Sequence, residues 1–101
     1  MKGRTPTKKE RDWMDKISQY GCVVCKENYN CTSPAEIHHI DGKTKPGAHL
    51  LTIPLCYQHH REGVNDDLYV SRHPFKKEFE KRYGKQSDIL KRLQDIIYDN
   101  S

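Results

Sequence analysis

Hydrophobic positions along the chain alternate between helical and strand-like spacing. Trp13, Ile17 and Tyr20, with Met14 beside them, recur at three- and four-residue intervals behind Thr7-Lys8-Lys9-Glu10. That tetrad matches a capping box, in which Thr7 and Glu10 satisfy each other's free amides, and Gly21 supplies a stop. The pattern predicts an amphipathic helix over about Lys8 to Tyr20, with Trp13 as its core anchor. Polar residues from Lys26 to Pro34 read as loop. Two apolar runs, Ala35 to Ile40 and His49 to Leu55, flank the turn-rich segment Asp41-Gly42-Lys43-Thr44-Lys45-Pro46-Gly47 and predict a hairpin. A short helix through Cys56-Tyr57-Gln58-His59-His60 follows and stops near Gly63. Val64 to Arg72 has no clear period. Pro74 suits the first turn of a further helix, where its missing amide costs nothing, with Phe75, Phe79 and Tyr83 as its apolar stripe and Gly84 as its end. Ser87 is placed to cap a last helix whose buried face is Ile89, Leu90, Leu93, Ile96 and Ile97, leaving Lys91, Arg92 and Asp95 in water.

These elements describe an α+β fold, a β-hairpin plus short helix with flanking helices. The expected organisation is one domain over 1–101, with a helix in 1–20, the core in 21–63 and C-terminal helices in 73–99. Only 34% of the 101 residues are hydrophobic, and the mean hydropathy is −1.01. A chain this small and polar buries a limited core, so a structural metal or a partner is expected to supplement it. Met1-Lys2-Gly3-Arg4 leads into charged residues rather than an apolar stretch, and no apolar run is long enough to span a bilayer. A cytoplasmic location is therefore expected. In a reducing compartment Cys-x-x-Cys reads as a metal motif rather than half of a disulfide framework.

Zinc prefers four tetrahedral thiolate or imidazole ligands, and a two-residue spacer lets both members of a pair reach the same ion. The chain holds two such pairs, Cys22-x-x-Cys25 and Cys56-x-x-His59. Together they predict a Cys3His structural zinc site joining the end of the first helix to the start of the hairpin's helix. Cys31 is left over, either as a free thiol or as a replacement for one of these ligands. A thioredoxin-like role for Cys22 and Cys25 lacks the parallel-sheet pattern it needs.

With Cys56 and His59 assigned to zinc, His60 is available to a second centre with the doublet His38-His39. The segments Pro34-Ala35-Glu36-Ile37-His38-His39, Ile53-Pro54-Leu55-Cys56 and His59-His60-Arg61, with His73 and Phe79-Glu80-Lys81-Arg82-Tyr83-Gly84, carry a resemblance. From about Tyr20 to Gly84 the chain resembles the HNH nucleases, and within them the phage Ref-type, RecA-dependent nucleases. The resemblance implies a zinc-braced ββα-metal core in which His38 and His60 are catalytic-metal ligands, His39 is the general base and His73 is a third metal ligand. It also implies DNA recombination in the cytoplasm of a phage-infected or lysogenic bacterial cell, and a RecA filament as partner. The sequence departs from the family pattern where an asparagine would precede Pro54-Leu55-Cys56. His49 and Leu51 occupy that neighbourhood, which leaves open the residue that orients the base.

The chemistry suits that assignment. A phosphodiester repels nucleophiles, so its hydrolysis needs an activated water and a cation near the developing charge. An imidazole, with an unperturbed pKa of about 6.5, is largely neutral near pH 7 and accepts the water's proton. Imidazole ligands suit Zn2+ or Ni2+, while completion by oxygen admits Mg2+ or Mn2+. Adjacent side chains of a regular strand point to opposite faces. Either the strand bends at His39, then, or only one histidine of the doublet lies in the site. A net charge of +4 permits a polyanionic partner, with Lys43, Lys45, Lys76 and Lys77 as phosphate contacts and Arg61 as a bidentate phosphate donor beside His60. The competing reading is a noncatalytic zinc-stabilised DNA-binding module, which has no need for His38, His39 and His60 to converge. A structural subunit of a phage assembly is a third.

Overall fold

The computed structural model describes residues 5–42 and 44–99. The first helix, α1, spans Lys8–Tyr20. Its capping box is formed: the Thr7 amide donates to Glu10 Oε1 at 2.8 Å and the Glu10 amide to Thr7 Oγ1 at 3.2 Å. Trp13 and Ile17 are buried. Gly21 ends the helix at φ 88°, and a side chain there would place Cβ 2.9 Å from the Ser33 carbonyl oxygen. Glycine is therefore required for both conformation and space.

The expected loop at Lys26 to Pro34 is corrected in its first half. Helix α2 covers Val23–Tyr29, capped by the Cys22 sulfur, which accepts from the Cys25 amide, and ended by Asn30 in the left-handed conformation. Burial of Val23 and Val24 draws this segment into the core, and tertiary burial outweighs its polar second half.

The hairpin pairs β1 (Glu36–His39) with β2 (Thr52–Leu55) in antiparallel register, Glu36 opposite Leu55 and His39 opposite Thr52. Both strands are shorter than expected. Residues Ala48–Leu50 form a 3₁₀ turn after Gly47, so His49 lies off the strand. The amides of Leu50 and Leu51 are satisfied inside that turn, by the carbonyls of Gly47 and Ala48. Because directly opposed residues share a face, His39 and Thr52 turn toward α1, whose Trp13 Nε1 donates to Thr52 Oγ1 at 3.0 Å. His38, Ile53, Glu36 and Leu55 turn the other way.

Helix α3 (Tyr57–His60) follows β2 directly, and α4 (Lys76–Tyr83) and α5 (Gln86–Asp99) complete the chain. Pro74 precedes α4 rather than opening it. Its neighbours are tied back to α3, the amides of Arg72 and His73 donating to the carbonyls of His59 and His60 at 2.8 and 2.9 Å. Helix α5 begins before Ser87, the expected cap, and its first-turn amides of Asp88 and Ile89 meet the Lys85 carbonyl. Ile89, Leu90 and Leu93 are buried as expected, while Ile96 is 37% exposed and the last turn meets the core through Ile97 and through Tyr98, which stacks on Trp13. Ile53, Leu55, Val70, Phe79, Ile89 and Leu93 form the centre of that core with Ile17, Val23 and Val24. Among the described residues no helix is long and apolar enough to cross a membrane.

Candidate metal centres and active site

Two clusters of ligand-type side chains occur among the described residues. The first is the predicted one. Cys22 and Cys25 come from the α1–α2 junction, and Cys56 and His59 from the β2–α3 junction, all four buried. The Cys25 and Cys56 sulfurs are 3.8 Å apart, too far for a disulfide, and His59 Nδ1 lies 3.1, 3.6 and 3.7 Å from the sulfurs of Cys56, Cys25 and Cys22. Tetrahedral zinc, with bonds of about 2.3 Å to sulfur and about 2.0 Å to nitrogen, separates neighbouring ligand atoms by roughly 3.5–3.8 Å. The donor set therefore fits a structural zinc. His59 turns its Nδ1 to the sulfurs, and the rings of Tyr29, Tyr69 and Tyr83 pack around it, where its Nε2 is buried with no hydrogen-bond partner among the described residues. The Cys56 thiol is pushed down in pKa, first by the hydrogen bond from Cys22, whose own pKa is pushed up by the same contact. Cys31 is exposed and stands outside the cluster.

The second cluster is His38, His60 and His73, with ligand atoms within 4.8 Å of one another. Ring centroids are 5.0 Å apart for His38 and His60 and 5.2 Å for each of the other two pairs. Three imidazoles converging on one ion through bonds of about 2.1 Å would have centroids about 5 Å apart. His38 comes from β1, His60 from the end of α3, and His73 is brought in by the backbone bond from its amide to the His60 carbonyl.

Both ends of this trio are braced. His60 Nδ1 lies 2.7 Å from Glu36 Oε1, an arrangement in which Nδ1–H donates to the carboxylate and Nε2 keeps the lone pair for a metal. Arg61 grips the same carboxylate through two bonds, Nε to Oε1 at 2.9 Å and Nη2 to Oε2 at 2.8 Å. Those bonds, followed by the one from His60, hold the Glu36 pKa down to about 2 against partial burial. On the other side His38 Nε2 is 2.6 Å from Gln86 Oε1. Burial pushes His38 down to about 3, with the charges of His60, Arg72 and His73 adding to it and the Gln86 bond opposing it. His73 is lowered by desolvation, then by Arg72 and His60. These shifts favour neutral imidazoles, the form that binds metal.

His39 does not join the trio. The strand runs regularly through His39 opposite Thr52, so the doublet divides between faces, and His39 Nε2 instead meets His49 Nδ1 at 2.9 Å. His49 thus stands where the base-orienting residue was in doubt. Its carbonyl also accepts from Thr52 Oγ1, which in turn accepts from Trp13.

Lys45 is exposed in the hairpin loop, Lys76 and Lys77 are exposed at the start of α4, and Lys43 lies outside the described residues. Three members of the site were missed in the sequence: Glu36, Gln86 and Arg72, whose Nε donates to Gln86 Oε1 at 3.0 Å. Only Glu36 carried a signal, two residues before His38 on the same strand and therefore on the same face.

The sequence model described as recombination enhancement, RecA-dependent nuclease matches residues 6–97. A nuclease is a phosphodiester hydrolase, and this family implies DNA as its substrate, which favours the enzyme over the noncatalytic module. The chain belongs to the recombination enhancement, RecA-dependent nuclease family and is a nuclease acting in recombination.

Proposed function

We propose that the His38, His60 and His73 trio holds the catalytic divalent ion of an HNH-type DNA endonuclease, with His39 as general base. The observation that carries this reading is the convergence of three imidazoles from three segments, two of them braced by Glu36 and Gln86. Bound there, Mg2+, Mn2+, Zn2+ or Ni2+ would act as the Lewis acid that draws off charge from the phosphodiester. His39 takes the proton of the attacking water as its oxygen bonds to phosphorus, and the leaving oxygen is reprotonated from solvent. With the proton of the His39–His49 pair on His39 Nε2, Nδ1 is the basic nitrogen. His49 then orients the ring and stabilises the imidazolium after transfer.

Because His39 and the trio lie on opposite faces of β1, this reading requires the scissile phosphate to lie across the edge of that strand. Arg61 serves this site by holding Glu36 on His60. Lys43, Lys45, Lys76 and Lys77 contact the DNA backbone without reading sequence. The substrate is DNA within a RecA filament, a reading supported by the family description.

Single-turnover cleavage of naked and RecA-coated DNA tests this. Wild-type protein is expected to cut the coated DNA faster, and His60→Ala and His73→Ala to need more divalent ion for half-maximal rate. Equal metal requirement in both variants and wild type would remove the trio as the catalytic centre.

A further inference from the structure

Gln86 is a polar side chain only 2% exposed, at the start of a helix whose inward face is otherwise aliphatic. Its amide orientation is set by charged neighbours. Arg72 Nε–H donates to one end at 3.0 Å, and the other end donates to Glu80 Oε2 at 3.2 Å. Flipping the amide would set its NH2 against the guanidinium and its oxygen against the carboxylate, so the atom facing His38 is the carbonyl oxygen. A carbonyl oxygen has no proton to give. At 2.6 Å, His38 Nε2 must therefore be the donor, which leaves the lone pair of this neutral imidazole on Nδ1.

We propose that Gln86 is a positioning residue of the nuclease, whose single carbonyl oxygen locks His38 in the Nε2–H tautomer and holds Arg72 beside the same histidines. Glu80 completes the device. It accepts from both the amide NH2 and the backbone N–H of Gln86 at 3.2 Å each, so the side chain has no freedom to turn away. Three segments that are distant in sequence, β1, the strap before α4 and the α4–α5 junction, are joined through one amide. With Nδ1 as the only lone-pair nitrogen, His38 can engage an ion in one ring orientation, and the cost of choosing that orientation is met on folding rather than on binding. Arg72 gains the same advantage: its Nε is spent on Gln86, and its terminal NH2 groups stay available to a phosphate oxygen.

This rests on the assignment of the trio to the catalytic ion, and two measurements separate the two claims. The first is the tautomer itself, read by long-range 1H–15N correlation of the histidine rings in protein that holds its structural zinc and no second ion. Wild type is expected to show His38 protonated at Nε2. Gln86→Met, similar in size but without the acceptor, should show the Nδ1–H form or a mixture, and Gln86→Glu combined with Glu80→Gln, which keeps an oxygen toward His38 and exchanges donor for acceptor at the other end, should restore Nε2–H. The second is Ni2+ uptake by calorimetry, expected to weaken about 10- to 100-fold in Gln86→Met and to recover in the Gln86→Glu, Glu80→Gln double variant. If Gln86→Met does not fold, the wild-type tautomer and the double variant decide the matter. A wild-type His38 protonated at Nδ1 overturns the role of Gln86 while leaving metal uptake by the trio intact. Absence of Ni2+ uptake by wild type overturns the catalytic-ion reading and the role of Gln86 with it.

Discussion

Replacing Cys56 by serine should cost the protein a substantial part of its stability. The Cys22, Cys25, Cys56 and His59 cluster joins the α1–α2 junction to the β2–α3 junction, Cys25 and Cys56 being 31 residues apart, and a zinc held there would tie them. No other covalent or coordinate link closes that segment among the described residues. A domain of this length is stable by roughly 5–15 kcal/mol in total. Structural zinc in small domains contributes about 10–16 kcal/mol near neutral pH, so the metal-free chain is expected to lie close to zero stability or below it. Removing one ligand of four forfeits about a quarter of that term, roughly 2.5–4 kcal/mol. At about 4–8 °C per kcal/mol for a domain of this size, the melting temperature should drop by about 10 °C or more. Far-ultraviolet circular dichroism during heating, with zinc release followed by a chromogenic chelator, measures both quantities on the same sample. Zinc and helicity should be lost together. Cys31→Ser, outside the cluster, should melt with wild type. A Cys56→Ser protein that melts cooperatively within a few degrees of wild type, or a chelated wild type with full helicity, would refute the brace.

Further outcomes follow from the active site and the DNA surface. His39→Ala should keep fold, zinc and DNA affinity yet lose about two to four orders of magnitude in single-turnover rate, the usual contribution of a general base; unchanged cleavage would remove it from that role. The Glu36 carboxylate, held at a pKa of about 2, is below its unfolded value of about 4.3. Its contribution to stability should therefore be fully present above pH about 4.3 and disappear as pH falls through about 2. Arg61→Ala should raise that pKa, as followed by carbon NMR of the carboxyl group, and no movement would mean the clamp is not formed in solution. Each of Lys43→Ala and Lys45→Ala should flatten the log-log salt dependence of duplex DNA binding by about 0.9, and an unchanged slope places the loop away from phosphate.

The sequence alone determined what depends on short-range spacing. A capping box, a Cys-x-x-Cys pair and a Cys-x-x-His pair are each complete within four residues, so the first helix and both halves of the zinc site were legible before any tertiary contact was known. The amphipathic stripe of α5 was legible for the same reason, although Ile96 shows that periodicity marks a face and not how deeply each position on it is buried. Strand alternation correctly posed the question about His38 and His39, and only the regular pairing of β1 with β2 answered it by dividing them between faces.

The tertiary structure decided everything that required distant segments to meet. Helix α2 was missed because its stability comes from burying Val23 and Val24 and from a sulfur cap, neither of which is a propensity signal. His49 lost its place on the strand to a turn whose amides are satisfied locally. His73 joins the trio because two backbone hydrogen bonds fold the strap before α4 onto α3, a placement that no local pattern encodes. Gln86 is the extreme case, a polar residue at the head of an amphipathic helix that looks solvent-facing in sequence. It is buried because Glu80, Arg72 and His38 together satisfy its amide. A hydrogen bond of this kind depends on an acceptor arriving within about 3 Å from another part of the chain. Sequence spacing fixes such distances only within a single turn or strand.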